Sequence, residues 1–127
     1  MTENELATIA VDAEFKIHTR LGPGLLESVY QAIMAQELRK RGLQVDTEVP
    51  IPVVWEGEKL DIGFRADTVV NGKLMLELKS IEEVAPVHKK QLLTYLKLAD
   101  YRLGLLINFN VELIKDGISR IVNRLQE

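Results

Sequence analysis

The sequence predicts an α/β fold, a mixed β-sheet flanked by helices, and three observations point to it. Up to Gly42 the apolar side chains recur at helical spacing. From Leu43 the period changes to the alternation of strands. Further on, Arg102 to Phe109 (RLGLLINF) is a continuous apolar run of strand length, the pattern of a strand buried on both faces. The resulting order, α-α-β-β-β-α-β, requires a sheet with helices packed on it.

The first helix is expected from about Asn4 to Arg20, with Leu6, Ile9, Ala10, Ala13, Ile17 and Leu21 spaced by three or four as one apolar stripe. Gly22-Pro23-Gly24 breaks it. A second helix carries Leu26, Val29, Tyr30, Ile33, Met34 and Leu38 on its buried stripe, and Gly42 caps it behind a basic last turn, Arg39-Lys40-Arg41. Val45 to Trp55 is rich in β-branched residues and interrupted by Pro50 and Pro52, which suits an edge strand. Glu56-Gly57-Glu58 reads as a turn, Lys59 to Val70 as a second strand, Asn71-Gly72 as a hairpin turn and Leu74 to Lys79 as a third strand. Pro86 opens a helix that runs to about Leu98. After the buried strand, a short strand or turn and a last helical turn are expected to finish the chain.

The 127 residues contain no repeat, low-complexity run or Pro/Ser-rich linker, so one domain spanning residues 1–127 is expected. With no cysteine, the sequence excludes a disulfide scaffold, a thiolate zinc site, an iron–sulfur cluster and a cysteine nucleophile. No stretch approaches the roughly 18 apolar residues of a membrane span. The opening MTENELATIAVDAEF carries acids where a signal peptide carries Lys or Arg, so a cytoplasmic location is expected. The net charge of −3 argues against holding nucleic acid by bulk electrostatics alone. Residues 1–60 hold 6 basic and 10 acidic side chains, whereas residues 61–127 hold 10 and 9. A polyanion would meet the second half.

The stretch most informative about chemistry is FRADTVVNGKLMLELKS, residues 64–80. In LMLELK, Leu74, Leu76 and Leu78 point to one side of the strand while Met75, Glu77 and Lys79 point to the other. Taken alone, Glu77 and Lys79 read as an ion pair on a solvated strand face. Asp67, ten residues before Glu77 on the neighbouring strand, adds a second acid. Two carboxylates and a lysine at one place suit a hard cation such as Mg²⁺, which takes one or two carboxylates and completes its shell with waters and substrate phosphates. The lysine would then orient or activate water for attack on phosphorus.

Asp67 followed by Glu77-Leu78-Lys79 resembles the signature of the PD-(D/E)XK nucleases, whose core of helix, three strands, helix and strand matches the order above. Gly24-Leu25-Leu26-Glu27-Ser28-Val29-Tyr30 is similar to the motif that names the GxxExxY family. RLGPGLLESVY, ELKS, QLLTYLKL and GLLINF resemble that family's blocks in the same order, from about Ile17 to Asn123. The resemblance implies a restriction-endonuclease-like fold and a Mg²⁺- or Mn²⁺-dependent nuclease acting on nucleic acid, DNA ahead of RNA. It implies that Asp67 and Glu77, with the carbonyl of Leu78, hold the metal, that Lys79 is catalytic, and that Glu27 is an additional acid on the helix over the site. Gln91 and Tyr95 are similar to the QxxxY element of some nuclease branches, with Gln91 contacting substrate or supporting Lys79.

Each of these residues also has an ordinary structural role to play. A glutamate in a helix's first turn, such as Glu27, is favoured by the dipole, and Tyr30 beside it can simply be packing. His88 shares a helix face with Gln91 and Tyr95 but has no metal-ligand spacing to the other histidine, and reads as a polar boundary residue. His18 reads as a surface or capping residue. Arg65, Lys73, Lys89, Lys90 and Arg102 are the basic candidates for phosphate contacts, Arg65, Lys89 and Lys90 foremost. So few cations imply a homodimer or a partner protein that joins basic patches into one groove. Two rival functions use the same residues: a binding or assembly module without turnover, and a structural fold with an ion-pair network.

Divalent-ion binding separates the structural fold from the other readings, cleavage separates the nuclease from the binding module, and the hairpin register sets a geometric condition on the metal site. A two-residue Asn71-Gly72 loop would put Asp67 opposite Leu76 and turn Glu77 to the other face. A metal site therefore predicts a three-residue or bulged turn: Val70-Asn71-Gly72, with Gly72 at positive φ and Val69 facing Lys73.

Overall fold

The computed structural model describes residues 1–126. It contains α1 (Glu3–Leu21), α2 (Glu27–Lys40), β1 (Val45–Trp55), β2 (Glu58–Val70), β3 (Leu74–Lys79), α3 (Pro86–Ala99), β4 (Leu103–Asn108), a single 3-10 turn (Ile114–Gly117) and β5 (Ile118–Val122). The five strands form one sheet in chain order. β3 and β4 are parallel, joined by the α3 crossover that a parallel pair needs; the other neighbours are antiparallel. The mixed sheet flanked by helices is as the periodicity predicts. The end of the chain differs, since the helical turn precedes the last strand instead of following it.

Two apolar layers cover the sheet. On one side α1 and α2 bury Leu6, Ala10, Ala13, Tyr30, Met34 and Leu38 against Leu74, Leu76 and Leu78 of β3 and Leu103, Leu105 and Ile107 of β4. On the other, Leu92 and Leu96 of α3 pack on Ile51, Ala66, Val69, Met75 and Leu106. The alternation of LMLELK is thus realised, and Glu77 and Lys79 project with Met75 towards the α3 layer. β4 is buried along its whole length. Gly104 lets α3 approach it: a β-carbon there would stand 3.2 Å from the side chain of Leu92.

Local chemistry sets the ends. Thr2 and Glu5 form a reciprocal capping box at the start of α1. Gly22 and Gly24 take positive φ in the break before α2. Three expectations about the helix stripes need correction. Leu21, Leu26 and Val29 are exposed, because the buried stripe of α1 runs through Ala7, Glu14 and His18, and that of α2 through Ala35. His18 is therefore not a surface residue. It is buried, with Nε2 2.8 Å from the carbonyl oxygen of Val111. Glu14 is fully buried, and neither of its carboxyl oxygens has a hydrogen-bond partner. Burial alone pushes its pKa well above the ordinary value.

The β1–β2 hairpin runs beyond the helices as an arm, exposing Val54, Trp55, Leu60 and Ile62. β1 is an edge strand, as its prolines require. At the β2–β3 hairpin, Asn71 and Gly72 both take positive φ and the Lys73 N–H donates to the carbonyl of Val70. Val70 pairs with Leu74, so the three-residue loop is Asn71-Gly72-Lys73, one position later than expected. Positive φ at both central positions makes the tight turn, and Lys73 is the extra residue. The parity survives, and Asp67 falls in register with Glu77.

Candidate active site at the split between β2 and β3

The β2–β3 pairing runs from Val70 and Leu74 to Thr68 and Leu76 and stops there. On the other edge of β2, the register passes from Thr47–Thr68 to Val49–Ala66, skipping Glu48 and Asp67. Glu48 takes φ 51°, a left-handed conformation costing a non-glycine residue on the order of 1–3 kcal/mol. Asp67 therefore sits where β2 parts from β3 and where its ladder to β1 lapses for a single pair before resuming at Val49–Ala66, and the main-chain groups released there need new partners.

Side chains of the predicted motif supply them. The Asp67 N–H donates to Glu77 Oε1 at 3.2 Å, and the Leu78 N–H donates to Asp67 Oδ2 at 2.9 Å. Gln31 Nε2, from α2, donates to the Asp67 carbonyl oxygen and to Asp67 Oδ1, each at 2.9 Å. The hydroxyl of buried Thr68 donates to the same Oδ1 at 2.8 Å. Two acids ten residues apart are thus each bonded to the main chain of the opposite strand, by bonds that replace the sheet ladder, and of the two it is Asp67 that lines the cleft on the α2 side. Leu78 itself is core, so a contribution from it comes from its main chain.

Burial pushes the pKa of Asp67 up, against the bonds from Leu78, Thr68 and Gln31; the charge of Glu48 adds to the rise. Glu77 is pushed up to about 7, by burial first and then by the negative charges of Asp67 and Glu48, with the Asp67 N–H and the Lys79 cation opposing. The site is short of positive charge, and a cation there would reverse both shifts. Lys79, at the end of β3 opposite Asn108, is the one basic group whose charge Glu77 senses.

An open cleft of about 530 Å³ exposes Asp67 on the α2 side, between Glu27, Ser28 and Gln31 of α2, Glu48 of β1, and Ser80. Glu27 Oε1 accepts the Ser80 N–H at 3.3 Å. Leu26, expected in the core, lines this cleft instead. Tyr30 follows the packing alternative: it is fully buried, donates to the Gly22 carbonyl at 2.6 Å and stacks on Phe109. Among the described residues, no group of three or more His, Cys, Asp or Glu side chains is arranged to hold a metal ion. What the site offers is the pair Asp67 and Glu77. That donor set fits Mg²⁺ or Mn²⁺, which need no more than one or two carboxylates from the protein.

The other predicted residues lie apart from this cleft. Gln91 Nε2 donates to the Tyr95 hydroxyl at 2.8 Å, and the Tyr95 ring stacks on Phe64 with centroids 3.9 Å apart. Both belong to the α3 layer that Glu77 and Lys79 face. His88 caps the start of α3, its Nδ1 accepting the Ala85 N–H at 2.9 Å. Arg65 donates to the Glu48 carbonyl, Lys73 to the Met1 carbonyl, and Arg102 pairs with Asp100, while Lys89 and Lys90 are exposed on α3. Gln31 and Glu48 are the site residues that sequence reasoning missed. Gln31 had a legible signal, because it stands one helical turn after Glu27. Glu48 had none, since the β1–β2 register is not written in composition.

A five-stranded mixed sheet between helix layers, with an Asp and an Glu-x-Lys motif meeting where two strands part, defines a restriction-endonuclease-like protein. The sequence matches the PD-(D/E)XK nuclease superfamily over residues 4–121, and the chain belongs to it. Its members are generally nucleases, typically dependent on divalent metals. No curated protein and no solved structure gave a match.

Proposed function

We propose that this protein is a divalent-metal-dependent nuclease of the GxxExxY branch, working as one domain and hydrolysing phosphodiester bonds of nucleic acid. One observation carries this: at the strand split Glu77 accepts the Asp67 N–H and Asp67 accepts the Leu78 N–H, both acids are partly desolvated, and the one cation whose charge Glu77 senses is Lys79. Asp67 and Glu77, with the Leu78 carbonyl, would hold Mg²⁺ or Mn²⁺. When bound, such an ion polarises the scissile phosphate and acidifies water. Lys79 orients the water that attacks phosphorus. Glu27 borders the path by which a phosphate reaches Asp67, and Gln91 and Tyr95 present polar groups on the α3 side. Cleavage of a mixed DNA and RNA pool with added Mg²⁺ or Mn²⁺ tests the assignment.

Cations for the nucleic-acid backbone are scarce, because Lys73 and Arg102 are engaged elsewhere on the chain. Arg65, Lys89 and Lys90 can neutralise only a few phosphates. The active form is therefore expected to contain a second copy or a partner protein. Sedimentation of the active species checks this, and a monomer that cuts duplex efficiently on its own would refute it.

A further inference from the structure

The Asp67 carboxylate is already held by three hydrogen bonds, and the one that comes from a different layer of the fold is donated by Gln31 of α2. The Asp67 Oδ1 accepts from Gln31 and from Thr68, and Oδ2 accepts from Leu78. The same Gln31 amide nitrogen also reaches the Asp67 carbonyl oxygen and, at 3.0 Å, Glu48 Oε1. An amide nitrogen carries two hydrogens, and here three acceptors share them. Gln31 thus ties α2 to the point where β2 parts from β3, and its amide touches two acids of the cleft, Asp67 and Glu48.

We infer that Gln31 is a positioning residue for the metal ligand Asp67. Its amide and the Thr68 hydroxyl pin Oδ1, which leaves Oδ2, bonded once by Leu78, to present an oxygen to the cation. The inference rests on the metal role proposed for Asp67 above. Thr68 shows why the amide is needed as well: it lies next to Asp67 on the same strand, so it cannot fix the carboxylate relative to α2 and the cleft. Hydrogen-bonding partners that orient a metal-ligating carboxylate typically govern affinity by roughly 10- to 100-fold.

The test is calorimetric titration of the full chain with Mn²⁺ in the absence of nucleic acid, beside a thermal melt of each sample. Gln31→Leu removes the amide, and Gln31→Met does so while keeping the side-chain length, so that one folded variant suffices. Asp67→Asn serves as the ligand control. The expected result is a roughly tenfold or greater loss of Mn²⁺ affinity in Gln31→Met with a melting temperature near that of the native protein. A merely structural role would lower the melt and leave the affinity of the folded fraction alone. Native-like Mn²⁺ affinity in a folded Gln31 variant, with Asp67→Asn impaired, would overturn the role of Gln31 and leave the metal site standing. Failure of the native protein itself to bind Mn²⁺ would overturn both.

Discussion

Lys79→Ala is expected to bind Mg²⁺ or Mn²⁺ about as well as the native protein while losing phosphodiester cleavage by roughly 10²- to 10⁴-fold, the range for a group that handles the proton or water of the reaction. An ammonium is no ligand for a hard cation, so its removal leaves the donor set intact. Asp67→Asn and Glu77→Gln are expected to do the reverse first, weakening the cation and losing cleavage with it. In the native protein, affinity should climb as pH rises through about 7, because a cation taking Glu77 must displace the proton that burial and neighbouring acids hold there. In Glu77→Gln that pH dependence should flatten. Metal titration and a single-turnover cleavage assay on the same preparations separate the roles. Lys79→Ala losing affinity as badly as Asp67→Asn would contradict them.

Glu14→Leu is expected to stabilise the fold, by about 1–3 kcal/mol at neutral pH, because a fully buried carboxyl with no partner is replaced by an apolar side chain of similar size. The pH dependence has a definite sign. Burial raises the pKa of Glu14 in the folded state above its ordinary 4.5, so the folded state keeps a proton that the unfolded chain releases. Native stability from this group is fully present below about 4.5 and is lost as pH rises towards the folded pKa, by up to about 1.4 kcal/mol per pH unit. The advantage of Glu14→Leu should therefore widen between pH 5 and pH 8. Urea melts of both proteins at the two pH values measure it, and an advantage that shrinks with rising pH would show that Glu14 is ionised in the folded protein.

Those two residues also mark what the sequence made legible. LMLELK carried its own alternation, and RLGLLINF its double burial, because strand periodicity and apolar continuity are local properties. The requirement that Asp67 and Glu77 share a face set the parity of the hairpin, but the loop expected from it lay one residue too early, since only the folded chain decides which neighbour of a tight turn becomes the bulge. Glu14 and His18 sit at helical spacing with Ala10 and Ala7, yet their polarity hid them from a search for apolar stripes. The pairing of Asp67 with Glu77 was legible as a motif. What holds it was not: the parting of β2 from β3, the left-handed Glu48 and the reach of Gln31 are products of tertiary register, which no short window of sequence specifies.

This site is expected to cut phosphodiester bonds, and the most direct measurement is digestion of a mixed single- and double-stranded DNA and RNA pool by the native protein, with Mg²⁺, with Mn²⁺ and with chelator, beside Lys79→Ala. The expected result is metal-dependent shortening of at least one class of nucleic acid, abolished by chelator and by Lys79→Ala. A native protein that binds the metal, with every nucleic acid left intact, would contradict the nuclease assignment and make the fold a binding module that keeps its acids without turnover.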